Sequence, residues 1–351
     1  MDPVKLLKQL VSIPSLSRDE DAKATFLCRF LEEEGLSPNR YGNNIWCEAW
    51  QHDASKPTIM LNSHIDTVKP SDAWTSNPFE AVEKGAKIQA LGANDAHASV
   101  VSLLAAFDSL RTRSQAYNLI IAFSCEEEVS GTQGMEALSK ILPHVDFAIV
   151  GEPTGMDLAV AERGLMVLDC TAGGVSGHAA REEGVNAIYE ALPDIQWFRD
   201  YRFEKVSPML GGVKMTVTMI NAGRQHNVVP DKCEFVVDIR LNECYTHQQV
   251  LDTVRANIKA GAIPRSMRLK PSGIDIGHPF VQRYLQSGIG KIFGSSTMSD
   301  QALMPFTSVK IGPGDSARSH TADEYIYVSE IENAVDTYVR LLDGFSLPQV
   351  P

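Results

Sequence analysis

Four short apolar runs, residues 58–61, 118–123, 147–150 and 308–311, decide what this chain can fold into. Each is too short for a helix, and each reads as a buried strand of a parallel sheet. Helical patterns lie between or after them. Ala98–Leu110 spaces Val100, Val101, Leu103, Leu104 and Phe107 along a helix, and residues 330–342 repeat the pattern. Residues 18–34 put Ala22, Phe26, Leu27, Phe30 and Leu31 on one face, with Gly35 as a stop. Strands alternating with helices imply an α/β domain built on a parallel or mixed sheet.

The middle of the chain has a different rhythm. Strand 166–171, helix 184–198, strands 213–220 and 233–240, helix 246–260 and strand 266–270 follow one another. That order, β-α-β-β-α-β, is the split βαβ pattern of a ferredoxin-like α+β domain. The expected organisation is therefore a first α/β part over 1–163, an insertion over 164–273, and a second α/β part over 274–351.

Composition narrows the partners. Against 32 Lys and Arg stand 44 Asp and Glu, and the net charge of −12 repels phosphate backbones and anionic lipid, so neither nucleic acid nor membrane is expected. No apolar run approaches the roughly 18 residues of a membrane span. The amphipathic start, MDPVKLLKQLVSIPSLS, lacks a signal peptide's continuous apolar segment, and the reading is cytoplasmic. The six cysteines form no CxxC pair and read as reduced thiols rather than disulfides.

The apolar strands end in residues that are costly in a core. TIMLNSHID ends in His64 and Asp66, LIIAFSCEEE in Glu126, Glu127 and Glu128, and FAIVGEP in Glu152, while SVKIGPGDSARSH leads to His320. In open α/β sheets the crevice lies outside the carboxyl ends of the strands, so these groups converge there, together with Asp95 of LGANDAH. Two imidazoles and several carboxylates suit a divalent metal of intermediate hardness, zinc first, cobalt or manganese next. The carboxylates outnumber what one closed structural zinc uses. With a bridging Asp they can build a two-metal site that keeps positions open for water and substrate. A cysteine nucleophile at Cys125 is disfavoured, because three adjoining glutamates oppose its thiolate.

Taken together, the motifs His64-Ile-Asp66, Gly92-Ala-Asn-Asp95, the glutamate cluster, Gly151-Glu152-Pro153-Thr154 and His320-Thr-Ala-Asp-Glu324 resemble one family. It is the metal-dependent amidohydrolases that include acetylornithine deacetylase, succinyl-diaminopimelate desuccinylase and carboxypeptidase G. The resemblance implies a catalytic domain with a mostly parallel sheet, interrupted by a ferredoxin-like lid and dimerisation domain. It implies that His64 and Glu152 bind one metal, His320 and a glutamate of the cluster the other, and that Asp95 bridges them. Asp66 then orients His64, fixing its tautomer. Overlay of the run makes Glu127 the general base and Glu128 the ligand; the other register makes Glu126 the base and Glu127 the ligand.

In the insertion, Ser176-Gly177-His178 resembles a lid histidine that reaches a partner subunit's site, which implies a homodimer. Asn227 and Arg240 resemble lid residues that hold the substrate, and Gly312 and Gly314 a substrate-facing loop. Two segments depart from the pattern. Relatives commonly have Asp-Met-Lys-Gly where this chain has Asp95-Ala-His97-Ala98, and His97 is expected to face solvent rather than substrate. Ser299-Asp300-Gln301 lacks an arginine common in deacetylases, for which Arg318 is a candidate replacement. The implied reaction is amide hydrolysis of an N-acyl amino acid, N-acetyl- or N-succinyl-L-ornithine in arginine biosynthesis. Succinyl-diaminopimelate desuccinylation and dipeptidase or aminopeptidase activity are the rivals, and an inactive binding protein is a poorer one.

Overall fold

The computed structural model describes residues 1–181 and 183–347. It divides into two compact units: Met1–Val160, Gly273–Phe293 and Ser299–Pro351 form the first, Ala161–Ser272 with Gly294–Met298 the second. The sequence reading had no signal for the short return of Gly294–Met298.

In the first unit the apolar runs form the middle of a mostly parallel sheet. Thr58–His64 lies between Asn118–Ser124 and Phe147–Val150, parallel to both, and Thr307–Lys310 runs parallel on the far side of Phe147–Val150. Every residue of Thr58–His64, Asn118–Ser124 and Phe147–Val150 is buried, as runs without polar alternation require. Antiparallel strands flank them: Asn44–Glu48 pairs with Asn118–Ser124, and Leu158–Glu162 touches Thr307–Lys310 through Ala159 and Lys310. The α/β architecture inferred from the alternation of strands and helices is the one observed.

Helix Ala98–Leu110 is apolar nearly all round and buried, packed on helix Val328–Leu342. Tyr338 on the latter donates its hydroxyl to the Ile311 carbonyl at 2.7 Å, tying the helix to the end of a central strand. A small antiparallel sheet, Val82–Lys84, Lys87–Gln89 and Tyr325–Tyr327, went unread because its strands are three residues each.

The second unit is a four-stranded antiparallel sheet in the order Lys214–Ala222, Lys232–Leu241, Gly164–Gly173, Gly261–Pro264. Its alternating inner residues, among them Met166, Leu168, Phe235 and Val237, pack against helices Ala187–Asp200 and His247–Asn257. The last strand is not the expected 266–270. There the Ser266 hydroxyl accepts the Arg268 amide at 3.2 Å and bends the chain, so ladder pairing falls to Gly261–Pro264, with Ile263 opposite Asp169.

Candidate metal centre

The strand ends of the first unit bring six of the expected side chains together. His64 closes its strand; Glu127 and Glu128 begin the 3-10 turn Glu127–Val129; Glu152 follows Phe147–Val150 by two residues; Asp95 sits in the turn before Ala98–Leu110. His320 follows the turn Ser316–Arg318 in left-handed backbone, with φ of 59°. Asp95 is the centre of the arrangement. Its Oδ1 lies 3.3 Å from His64 Nε2 and its Oδ2 3.7 Å from His320 Nε2, so one carboxylate faces two different imidazoles. Glu152 Oε1 is 3.8 Å from His64 Nε2, and Glu128 Oε2 is 2.9 Å from His320 Nε2.

The donor set fits metal ions. Ligand atoms held about 2.0–2.2 Å from a common ion stand at most about 4.4 Å from one another, and the four distances above fall within that limit. Among the described residues two overlapping groups, His64 with Glu127 and Glu152 and His64 with Asp95 and Glu128, bring their ligand atoms within 4.8 Å of one another. The His64 ring is oriented for the purpose: Nδ1 donates to the Asp66 carbonyl at 3.0 Å, which leaves the Nε2 lone pair facing the carboxylates.

It is the backbone carbonyl of Asp66 that accepts the His64 ring proton, and its carboxylate has other partners. Fully buried, it accepts the Glu127 amide at 3.1 Å, the Glu128 amide at 3.2 Å and the Ser17 hydroxyl at 2.7 Å. One carboxylate therefore fixes the backbone of both glutamates relative to His64. Glu126 faces elsewhere: its carboxylate accepts the Gln133 amide at 3.2 Å, and its backbone is left-handed at φ 55°. Glu324 performs a similar task for the Asp95 turn, accepting the amides of Gly92, Asn94 and Asp95 at 3.1, 2.8 and 2.8 Å. Ser17 carries no local sign of its role, since a hydroxyl in a polar N-terminal stretch looks like any turn residue.

The electrostatics are those of anions crowded out of water. Burial pushes the carboxyls of Glu127 and Glu152 well up, and neighbouring carboxylates add to it while His64 opposes it. Glu324 rises to about 8 through burial and the charge of Asp95, despite its three amides. Burial alone pushes the His64 imidazolium down, but Asp66 and Asp95 outweigh it and hold the group well above its ordinary value. His320 rises to about 9, chiefly through Glu128. Such an excess of carboxylates around two imidazoles is what a divalent cation offsets.

Other expected residues fall differently. His97 does not face solvent. It is fully buried, with Nδ1 donating to the Gly92 carbonyl at 2.8 Å and Nε2 2.6 Å from Lys23 Nζ; the alanines beside it leave the ring free to fold back beneath the turn. Arg318 is engaged, held bidentately by Glu330 at 2.7 and 3.1 Å and stacked on Tyr325. Gly312 and Gly314 have packing reasons: a Cβ at Gly312 would stand 2.4 Å from the Glu152 carbonyl, and one at Gly314, where φ is 90°, 2.3 Å from Asn94 Oδ1. In the second unit His178 is exposed on the short strand Gly177–His178, which pairs with Val228–Val229 next to Asn227. Arg240 is paired with Asp238 at 2.8 and 3.0 Å. Cys125 is buried, and burial first, the neighbouring carboxylates second, push its thiol far up, out of reach of a thiolate mechanism.

Similar proteins share this architecture. A succinyl-diaminopimelate desuccinylase 2 of Ruegeria sp. (strain TM1040) is 25% identical over 98% of this chain and 95% of its own length. An acetylornithine deacetylase of Proteus mirabilis (strain HI4320) is 26% identical over 99% and 97%. Among solved structures, the aminopeptidase PepT of Bacillus cereus ATCC 10987 superposes with a TM-score of 0.78 at 18% identity, covering 97% of each chain. The YXEP protein of Bacillus subtilis, described as a dinuclear metal binding peptidase, superposes with a TM-score of 0.73 at 17% identity over 97% of this chain and 96% of its own. The pattern of Peptidase family M20/M25/M40 runs through residues 60–344 and so through every strand end that carries the cluster, and the chain belongs to that family.

Proposed function

We propose that the chain hydrolyses the amide bond of an N-acyl amino acid, with N-acetyl- or N-succinyl-L-ornithine as substrate. The observation that carries amide hydrolysis is Asp95 set between His64 and His320, with Glu127 and Glu128 locked side by side on Asp66. When bound, divalent metal ions in such a site polarise a carbonyl and lower the pKa of water towards about 7. His64, Asp95, Glu128, Glu152 and His320 are the holding residues in this reading, with zinc as the metal and cobalt or manganese as substitutes.

Glu127 is left for acid–base work. It takes a proton from the attacking water and delivers it to the departing nitrogen, so that the C–N bond breaks as an acid and an amine. Its burial among like charges suits it to hold a proton between those two steps. His178 from a second copy of the chain supports the carbonyl oxygen as negative charge develops, and Asn227 and Arg240 hold the substrate's carbonyl and carboxylate. N-succinyl-diaminopimelate is the second substrate considered, because a desuccinylase of that compound is as similar to this chain as the deacetylase is.

The experiment is amine release from N-acetylornithine, N-succinylornithine, N-succinyl-diaminopimelate and a dipeptide, before chelation, after it, and after return of zinc or cobalt. Turnover that vanishes on chelation and returns with metal is expected, with an ornithine derivative preferred. Turnover on the dipeptide alone would overturn the acyl amino acid reading.

A further inference from the structure

Beneath the metal centre lies a buried cation that the reaction outlined above does not use. Lys23, on helix Asp21–Glu33, is 1% exposed, and its Nζ stands 2.6 Å from His97 Nε2. The His97 ring touches the backbone of both segments that bring ligands to the site. Nδ1 is 2.8 Å from the Gly92 carbonyl, in the turn that carries Asp95, and Nε2 is 3.2 Å from the carbonyl of Ile65, between His64 and Asp66. With the ring proton on Nδ1, donated to the shorter Gly92 contact, Nε2 offers its lone pair to Lys23 Nζ, and its approach to the Ile65 carbonyl is a packing contact rather than a hydrogen bond.

The fit around the ring is close. Gly92 has φ of 75°, and a Cβ there would stand 2.4 Å from His97 Nδ1 and 2.6 Å from Thr67 Cγ2. Burial pushes the Lys23 ammonium down to about 7, and the charges of Asp66 and Glu20 work against that burial and favour the cation. Glu20 in turn accepts the amide of Glu126 at 3.2 Å, just ahead of the two glutamates that Asp66 anchors. A buried ammonium without a structural or functional task is costly.

We infer that Lys23 and His97 act as one positioning unit for the metal centre, the ammonium fixing the ring and the ring fixing the spacing between the His64 strand end and the Asp95 turn. Neither residue touches substrate or metal. The unit rests on the reading of the cluster as a metal site, and it acts on how well that site is pre-shaped. Groups that orient metal ligands from outside typically change metal affinity or activity about 10- to 100-fold when removed.

The test uses the whole protein and Co2+ as the probe. Wild-type protein is titrated first, by calorimetry and by the visible absorption of the bound ion. Lys23→Met, His97→Phe and the double variant follow. Lys23→Met is expected to fold, since an apolar side chain of similar length replaces a buried charge. Its Co2+ affinity should fall about 10- to 100-fold, with an altered absorption band and a lowered kcat at little changed KM. The double variant should lose no more than the worse single variant, as two residues of one unit do. Should Lys23→Met fail to melt cooperatively, His97→Phe decides by the same affinity and spectrum. Wild-type affinity and band in that variant or in Lys23→Met, or losses that multiply in the double variant, would overturn the inference alone. No Co2+ uptake by the wild type would overturn the metal-site reading together with it.

Discussion

Glu127 and Glu128 are adjacent in sequence and bound through their amides to the same carboxylate, yet their side chains serve different neighbours. Glu128 meets His320 at 2.9 Å, while Glu127 is grouped with His64 and Glu152. On the proposed division of roles, Glu127→Gln should keep its metal and lose activity by about 10²- to 10⁴-fold, the usual share of a general acid–base group. Glu128→Ala should lose metal, read by elemental analysis after dialysis. The reverse pattern would exchange the two roles. These residues were legible because charged groups at the ends of fully apolar strands have no bland explanation as a set. Ser17, Lys23 and Glu20 were not, because each reaches its partner across 49 to 106 positions of chain, and nothing near them in sequence marks the contact. His97 was misread for the same reason: its environment is set by Lys23 on another helix.

At the level of elements, the turn before Ala98–Leu110 depends on one carboxylate. Glu324 takes up the amides of Gly92, Asn94 and Asp95, and its carboxyl is raised from the ordinary 4.5 to about 8 by burial and the nearby Asp95 charge. In metal-free protein the folded state thus keeps a proton that the unfolded chain has released. That contribution to stability is fully present below pH about 4.5 and is lost as pH rises through about 8. The melting temperature of chelated protein should fall as pH rises from 5 to 9, and Glu324→Gln should flatten the slope. A slope of opposite sign would mean that the carboxyl is not raised. The buried strands themselves were read within a few residues, since their pattern is local. The strand at Gly261–Pro264 was not, because the bend at Ser266 turns on one side-chain hydrogen bond that apolar alternation does not report.

Across the whole molecule, the cluster belongs to the first unit, whereas His178, Asn227 and Arg240 belong to the second. If His178 serves the site of another copy, chains carrying His178→Ala and chains carrying Glu127→Gln should complement each other. Random exchange makes half of the dimers mixed, and each mixed dimer holds one whole site, so activity should return to roughly a quarter of wild type. Activity that stays at the level of the separate variants would count against a shared site. The return of Gly294–Met298 to the second unit was not readable in the sequence, being five residues with no periodicity to announce them.

The place of Thr307–Lys310 has a bearing on how the chain is made. This strand lies between Phe147–Val150 and Leu158–Glu162, which precede it by about 150 residues. During synthesis the amino-terminal strands and the whole of the continuous stretch Ala161–Ser272 leave the ribosome before it. Until then the nascent sheet keeps an open edge along Phe147–Val150, and His320 is missing from the cluster. Completion of the sheet is a late, long-range event, and a chain stalled before Thr307 presents that unpaired edge to its neighbours.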